Sequence, residues 1–206
     1  MEVQIGQDLI QILDNEFDEK ALGKMHEDFL MSQHWGCHNR AMDYNSARFF
    51  AINFNSNSQS GRKGRLDAND YDNKREEWLP YTPQIVKDIH NSIKEKFLTN
   101  EYVLEDSHAN CQTIMQDGPR HVDVNSKASA IIMTNPLWHE GYGGETEFLD
   151  TDGNIHLVDF VPGRIIMFNG QIPHRALAPR VAGIFRITLN FQFGVKNAQN
   201  YFMATK

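Results

Sequence analysis

Apolar positions divide the chain into two regimes. Near the start, Leu9, Ile10, Ile12, Leu13 and Phe17 recur at a spacing that predicts a helix. A second helix starting near Asp18 would carry Leu22, Met25, Phe29 and Leu30 on one face. Residues 48–54 read as a strand. Residues 82–97 predict a further helix, with Ile85, Val86, Ile89, Ile93 and Phe97 as its stripe and Thr82-Pro83 as its start signal. From residue 101 onward the apolar runs shorten and turn signals recur every ~8–12 residues. This predicts strands at 109–115, 118–123, 128–134, 145–150, 155–160, 164–169, 173–177 and 185–193. Asp150-Thr151-Asp152-Gly153-Asn154 and Pro162-Gly163 are turns between them. Helices followed by short strands predict a mainly β chain: a double-stranded β-helix, or jelly roll, with N-terminal buttressing helices.

The last strand shows the alternation best. Arg186, Thr188, Asn190 and Gln192 fall on one face, and Ile187, Leu189, Phe191 and Phe193 on the other. A wet interior against the first face and helices packed on the second would satisfy both. Residues 55–77 break the pattern, being rich in Asn, Ser, Asp, Lys and Arg and almost empty of large apolar side chains. They read as a surface loop, and loops of this length are often functional, so a lid over a site is the sharper expectation. No repeats are present. The chain is expected to form a single domain over 1–206, with 1–100 as helical support and loop and 101–206 as the jelly-roll core.

Composition changes this picture little. At 206 residues, 40% hydrophobic and 23% charged, the chain is long enough for one well-buried core. Its 20 basic and 27 acidic residues give a net charge of −7, which argues against broad binding to a nucleic-acid backbone. The two cysteines, Cys37 and Cys111, are far apart and form no metal-knuckle or disulfide pattern. The N-terminus is polar and acidic, unlike a secretory leader, and no apolar run is long enough to cross a bilayer. A cytoplasmic protein without a membrane partner is expected; oligomeric state is not legible.

Candidate chemistry lies in the second half. His121 and Asp123 are two apart, so on a strand they would share a face and could point at one ion. His174 follows Gly170-Gln171-Ile172-Pro173 after an apolar strand, and Arg186 opens the last strand twelve residues later. Two imidazoles and one carboxylate with open positions suit non-haem Fe(II). A guanidinium nearby supplies a fork for a carboxylate, and Thr188 on the same face could share it. Arg175 and Arg180 are rivals for that role. Taken singly, each residue is equally a solvated polar side chain.

The segments Ala109-Asn110-Cys111-Gln112-Thr113, Gln116-Asp117-Gly118-Pro119-Arg120-His121-Val122-Asp123, Gly143-Gly144-Glu145-Thr146-Glu147-Phe148, Pro173-His174-Arg175 and Phe185-Arg186-Ile187-Thr188-Leu189 together resemble the prolyl-4-hydroxylase-like 2-oxoglutarate/Fe(II) oxygenases. The resemblance covers about 109–193, under half the chain. It implies that His121, Asp123 and His174 hold Fe(II). It implies that Arg186 pairs with the distal carboxylate of 2-oxoglutarate, with Thr188 assisting, and that Gly143-Gly144 lets backbone approach the site's edge. The co-substrates implied are 2-oxoglutarate and O2, with ascorbate as a further cofactor. The reaction implied couples oxidative decarboxylation to succinate and CO2 with oxidation of a C–H bond in a peptide, amino acid or small metabolite.

The chain departs from the family pattern in its tyrosines. The strand 128–135 has Ile132 and Met133 where a tyrosine often faces the co-substrate, and Met115 stands near a second such position. Thr188, Gln112 and Asn110 are the candidates for the missing hydrogen bond. Asn135, Trp138 and Tyr142 could line a substrate mouth or simply pack a loop. Arg120 should face away from His121, towards a substrate anion or a structural carboxylate. His34, Trp35 and His38 read as a helix cap or surface feature, and His108, His139 and His156 have no partners at ligand spacing. Two other classes remain open: a non-catalytic jelly-roll binding module with a lapsed site, and a cupin-type metal enzyme. Cupins usually show His-x-His with a nearby Glu, which this chain lacks.

Overall fold

One long strand organises the chain. The computed structural model describes residues 2–5, 8–38, 49–55, 77–123 and 126–195. Within it β11 (Arg186–Val195) pairs on one side with β5 (Tyr102–Gln112) and on the other with β6 (Ala128–Met133). β6 continues to β9 (Ile165–Phe168), then β2 (Asp8–Leu13) and β1 (Glu2–Ile5). β5 continues to β4 (Phe49–Asn53) and β3 (Gly36–His38). These eight strands form one antiparallel sheet. A smaller sheet faces it, with β7 (Thr146–Leu149) between β10 (His174–Ala176) and β8 (Ile155–Val158). The architecture is a mainly β double-stranded β-helix with helices on one face.

Strand alternation explains how both faces of the large sheet are used. Ala130, Ile132, Ile187, Leu189, Phe191 and Phe193 turn outward and join the helices α1 (Glu19–Leu30) and α2 (Gln84–Phe97) in one buried cluster. The helices contribute Leu22, Met25 and Phe29 from α1 and Val86, Ile89 and Ile93 from α2. Ile131, Met133, Ile166 and Phe168 turn inward and meet Phe148, Val158 and Phe160 in a second cluster. Asp18 caps α1 through its carboxylate, which accepts from the Ala21 N–H. Trp35 closes the other end, its indole Nε1 donating to the Phe29 carbonyl at 2.8 Å. The aromatic in the His34-Trp35-His38 group is thus a cap, and His34 stacks on Tyr81. Among the described residues no helix is long and apolar enough to cross a membrane.

The structure corrects three expectations. Leu9 to Leu13 belong to a strand, not a helix. Ile10 and Ile12 are both buried, two apart, and β2 pairs with β9 at Gln11–Met167, Ile12–Ile166 and Leu13–Ile165. Clustered apolar residues satisfied the helical spacing as well as the strand spacing, and the free edge of β9 decided between them. Residues 118–123 do not form a strand either. Pro119 has no N–H to offer a ladder, and the segment pairs with the small sheet through one isolated bridge, between His121 and His174, rather than through a ladder. The expected strand at 109–115 runs instead from Tyr102 to Gln112, and a turn follows with Met115 at φ 66°. Most of the loop expected at 55–77, with its proposed lid, lies outside the described residues. Its two ends do meet, in an antiparallel bridge between Asn55 and Trp78.

Candidate metal centre and anion pocket

The His121-to-Asp123 segment is held in place by backbone contacts rather than by a strand. The His121 N–H donates to the His174 carbonyl at 3.0 Å, and the His174 N–H returns the bond at 2.9 Å. The Asp123 N–H donates to the Gly170 carbonyl at 2.8 Å. Gly118 N–H reaches Ala176 O at 2.8 Å. These bonds fold the segment across β10, so that His121, Asp123 and His174 each offer one ligand atom, all within 4.8 Å of one another. Asp123 and His174 are buried, and His121 stands at the opening.

Both imidazoles are aligned from behind. His121 Nδ1 lies 3.0 Å from the Pro119 carbonyl and His174 Nδ1 lies 2.8 Å from the Ile172 carbonyl. A carbonyl only accepts, so Nδ1 carries the hydrogen and Nε2 presents its lone pair. Nε2 of His121 is 3.7 Å from Asp123 Oδ1, and Nε2 of His174 is 3.9 Å from Oδ2. Burial pushes the His174 pKa below its ordinary value; the Asp123 charge opposes this and His121 reinforces it. The ring is therefore neutral at neutral pH, as a ligand must be. Asp123 is fixed by Ser129 Oγ, donating to Oδ2 at 2.6 Å, and by Gln192 Nε2, donating to Oδ1 at 2.7 Å. Two imidazoles aligned through Nδ1 and one hydrogen-bonded carboxylate converging on one point fit a divalent iron with open positions.

Arg186 lies in the same cavity and is 1% exposed. Its guanidinium partners are all neutral: Nε donates to Gly144 O at 2.8 Å, one Nη to Gln112 Oε1 at 3.0 Å, and the other to Thr146 Oγ1 at 3.3 Å. Burial lowers its pKa to about 10, with Glu145 pulling the other way, so it remains a cation. Five N–H donors face three neutral acceptors here, and among the described residues no carboxylate is hydrogen-bonded to the fork, a costly arrangement for a buried cation. Such a fork suits a carboxylate. Gly143 and Gly144 have φ 70° and 81°. A Cβ on Gly144 would come within 2.9 Å of Trp138 and 3.3 Å of Arg186 Cδ, so only glycine lets this backbone carbonyl reach the guanidinium.

The rival cations are engaged elsewhere. Arg175 clasps Glu147 with both ends, at 2.9 and 2.8 Å, and Arg120 donates to the same carboxylate. Arg120 thus holds a structural carboxylate. Arg180 reaches Glu145 at 2.6 Å from an exposed position. Glu147 therefore ties together the two segments that carry His121 and His174. Arg175, then Arg120, hold its carboxyl below the ordinary value of 4.5. A depressed folded-state pKa contributes stability that is complete above the unfolded value and is lost as pH falls through the folded one. Glu147→Gln should consequently flatten the loss of stability on acidification below pH 4.5, measured by denaturant unfolding at several pH values.

Thr188 and Asn110 line the cavity and sit opposite each other in the β11–β5 register. Gln112 does not line it. Its Oε1 accepts from Arg186 and its Nε2 donates to Gln116 O at 2.7 Å, so both ends of the amide are used in holding Arg186. Asn135 and Trp138 have packing roles rather than a place at the mouth. Asn135 bonds Phe185 O and Ile187 N at the start of β11, and Trp138 bonds Gly143 O and stacks near Phe160. His156 pairs with Asp150 in its turn, and the ring of His139 meets Tyr142 edge-on. Cys37 and Cys111 are free thiols, and burial pushes Cys111 up to about 12.

Sequence reasoning missed Ser129, Gln192 as a partner of Asp123, and His108 in the cavity wall. Ser129 had a signal: it is the polar residue in the otherwise apolar strand Ala128–Met133.

The fold and the convergent His, Asp and Arg side chains define a class of architecture: the double-stranded β-helix shared with the 2-oxoglutarate/Fe(II) oxygenases. No family model matches the sequence, and no curated protein matches it significantly. Solved structures do. A prolyl-4-hydroxylase from Pseudomonas putida is 15% identical at TM-score 0.61, over 91% of this chain and 93% of that one. A 2OG-Fe(II) oxygenase family oxidoreductase from Burkholderia pseudomallei is 13% identical at TM-score 0.65, over 90% and 85%. A Trichoplax adhaerens prolyl hydroxylase, in complex with a hypoxia inducible factor oxygen degradation domain peptide fragment, is 12% identical at TM-score 0.60, over 96% and 87%. At these identities the likeness concerns the fold.

Proposed function

We propose that this chain is a 2-oxoglutarate- and Fe(II)-dependent dioxygenase that hydroxylates a peptide or small molecule, with residues 1–206 acting as one catalytic domain. The observation that supports this is the shared cavity. A two-His, one-carboxylate cluster, with Asp123 and His174 buried and His121 at the opening, and a buried guanidinium hydrogen-bonded only to neutral partners line the same space. A binding module with a lapsed site would have no reason to keep both.

In this reading His121, Asp123 and His174 hold the iron, and Arg186 with Thr188 takes the distal carboxylate of 2-oxoglutarate. Asn110 completes the wall opposite Thr188, and Gln112 orients Arg186. The iron, when bound, supplies the site for the oxo acid and for O2, and ascorbate would keep it ferrous. The chain's own contribution is to align the ligands, bind the acid and exclude water. Phe168 and Phe148 do the last of these beside His174, with ring centroids 4.7 and 6.0 Å from the imidazole. A peptide substrate is supported by the fold neighbour solved with a peptide; the net charge of −7 gives no support to nucleic acid.

The test is an anaerobic titration of apo-protein with Fe(II) and then 2-oxoglutarate, following the visible metal-to-ligand charge-transfer band. A saturable band supports the reading. A folded protein that gives none overturns it. The alignment of Asp123 has its own consequence. Ser129→Ala and Gln192→Leu should each weaken Fe(II) binding about 10–100-fold while leaving the fold intact, because each leaves a ligating carboxylate oxygen less constrained. Isothermal titration with Fe(II) or Mn(II) would measure it.

A further inference from the structure

A polar ladder runs along the floor of the cavity. Arg186, Thr188, Asn190 and Gln192 of β11 lie opposite Gln112, Asn110, His108 and Asp106 of β5. Both ends have assignments. Arg186 and Gln112 are bonded to each other at one end. Gln192 donates to Asp123 at the other, which places the His–Asp–His cluster over that step. Same-face positions on a strand are about 6.5–7 Å apart. A 2-oxo acid held at Arg186 and extending to the cluster therefore passes over the middle of the ladder. Its oxo-acid end falls at the Asn190–His108 step, next to the step that touches Asp123.

Both residues of that step line the cavity, and neither has a role in the metal centre or the Arg186 fork. The Asn190 amide is loosely held. Its Nδ2 makes only long contacts: 3.3 Å to His108 O, 3.4 Å to Thr188 O and 3.3 Å to Thr188 Oγ1. A well-formed N–H···O bond is nearer 2.9–3.0 Å, so these hydrogens can be given up to a better acceptor. His108 is buried opposite, with Nδ1 3.2 Å from Asp106 Oδ2, and its ring walls the step on the β5 side.

We propose that Asn190 donates a hydrogen bond to the metal-proximal carboxylate of the 2-oxo acid, in a subsite walled by His108. Arg186 and Asn190 then hold the two carboxylates of one ligand from the same strand. This selects an acid whose second carboxylate lies at the right distance from its oxo-acid group. The proposal rests on the oxygenase reading of the cavity and adds a residue that the metal and the arginine do not require.

Asn190→Asp tests it almost without change of shape. It removes both N–H donors and sets a carboxylate against the ligand's own. With Fe(II)-loaded protein under anaerobic conditions, the variant should bind 2-oxoglutarate at least tenfold more weakly. Fe(II) affinity should be retained and the maximum of the charge-transfer band should move. Asn190→Ser, neutral and smaller, should give a severalfold loss with the same shift, which covers the case where the added charge perturbs folding. A wild-type band together with unchanged affinity and band position in both variants would overturn the proposal and leave the oxygenase reading standing. Absence of the band in the wild type would instead overturn that reading, and this proposal with it.

Discussion

His174→Ala is expected to abolish Fe(II) binding and with it the charge-transfer band. Constraining contacts around a ligand are worth about 10–100-fold in metal affinity, and losing the ligand itself should exceed that. His174 is the buried imidazole of the pair, with Nδ1 bonded to Ile172 O and Nε2 facing Asp123. Its ring also meets Phe168 edge-on. Alanine would leave a gap there, so folding should be checked by thermal melting. A variant that melts cooperatively and binds no iron assigns the effect to the ligand. A variant that keeps wild-type iron affinity would remove His174 from the site.

Arg186→Ala is expected to separate the two halves of the cavity: iron stays, 2-oxoglutarate does not. Truncating one member of a buried charge pair costs roughly 2–5 kcal/mol, or about 30-fold or more in co-substrate dissociation constant. The alternatives at Arg175 and Arg180 are weaker because Glu147 and Glu145 already take their charges. Arg186→Lys keeps the charge but loses the planar fork that reaches Gly144, Gln112 and Thr146 together. It should fall between alanine and wild type. Titrations at fixed Fe(II) would rank the three. Equal affinity in all of them would show that the acid is anchored elsewhere.

Much of the site was legible because its signals are local. Strand side chains alternate with period two, so Arg186, Thr188, Asn190 and Gln192 declare one face whatever they pair with. The turns at Asp150 and Gly163 follow from residue type: Asp150 Oδ1 accepts from the Asp152 and Asn154 N–H groups, and Gly163 sits at φ 73°. The α2 stripe likewise follows from spacing within one element.

What failed depended on partners far along the chain. Residues 9–13 have apolar side chains compatible with either period, and their pairing with β9 some 150 residues later made them a strand. His121 and Asp123 do converge, but through bonds to His174 and Gly170 rather than through a strand of their own.

The sequence by itself determined the two helices α1 and α2, the run of short strands that follows them, the alternating faces of the last strand, and the residue types able to hold a metal and a carboxylate. The tertiary structure alone decided three things: that Glu147 and Glu145 take Arg175 and Arg180 out of contention, that Gln112 serves Arg186, and that Ser129 and Gln192 hold Asp123. The division has a physical reason. Periodicity and turn chemistry are properties of neighbouring residues, whereas a hydrogen-bond partner is chosen by which strands lie side by side, and that is fixed only when the whole sheet closes.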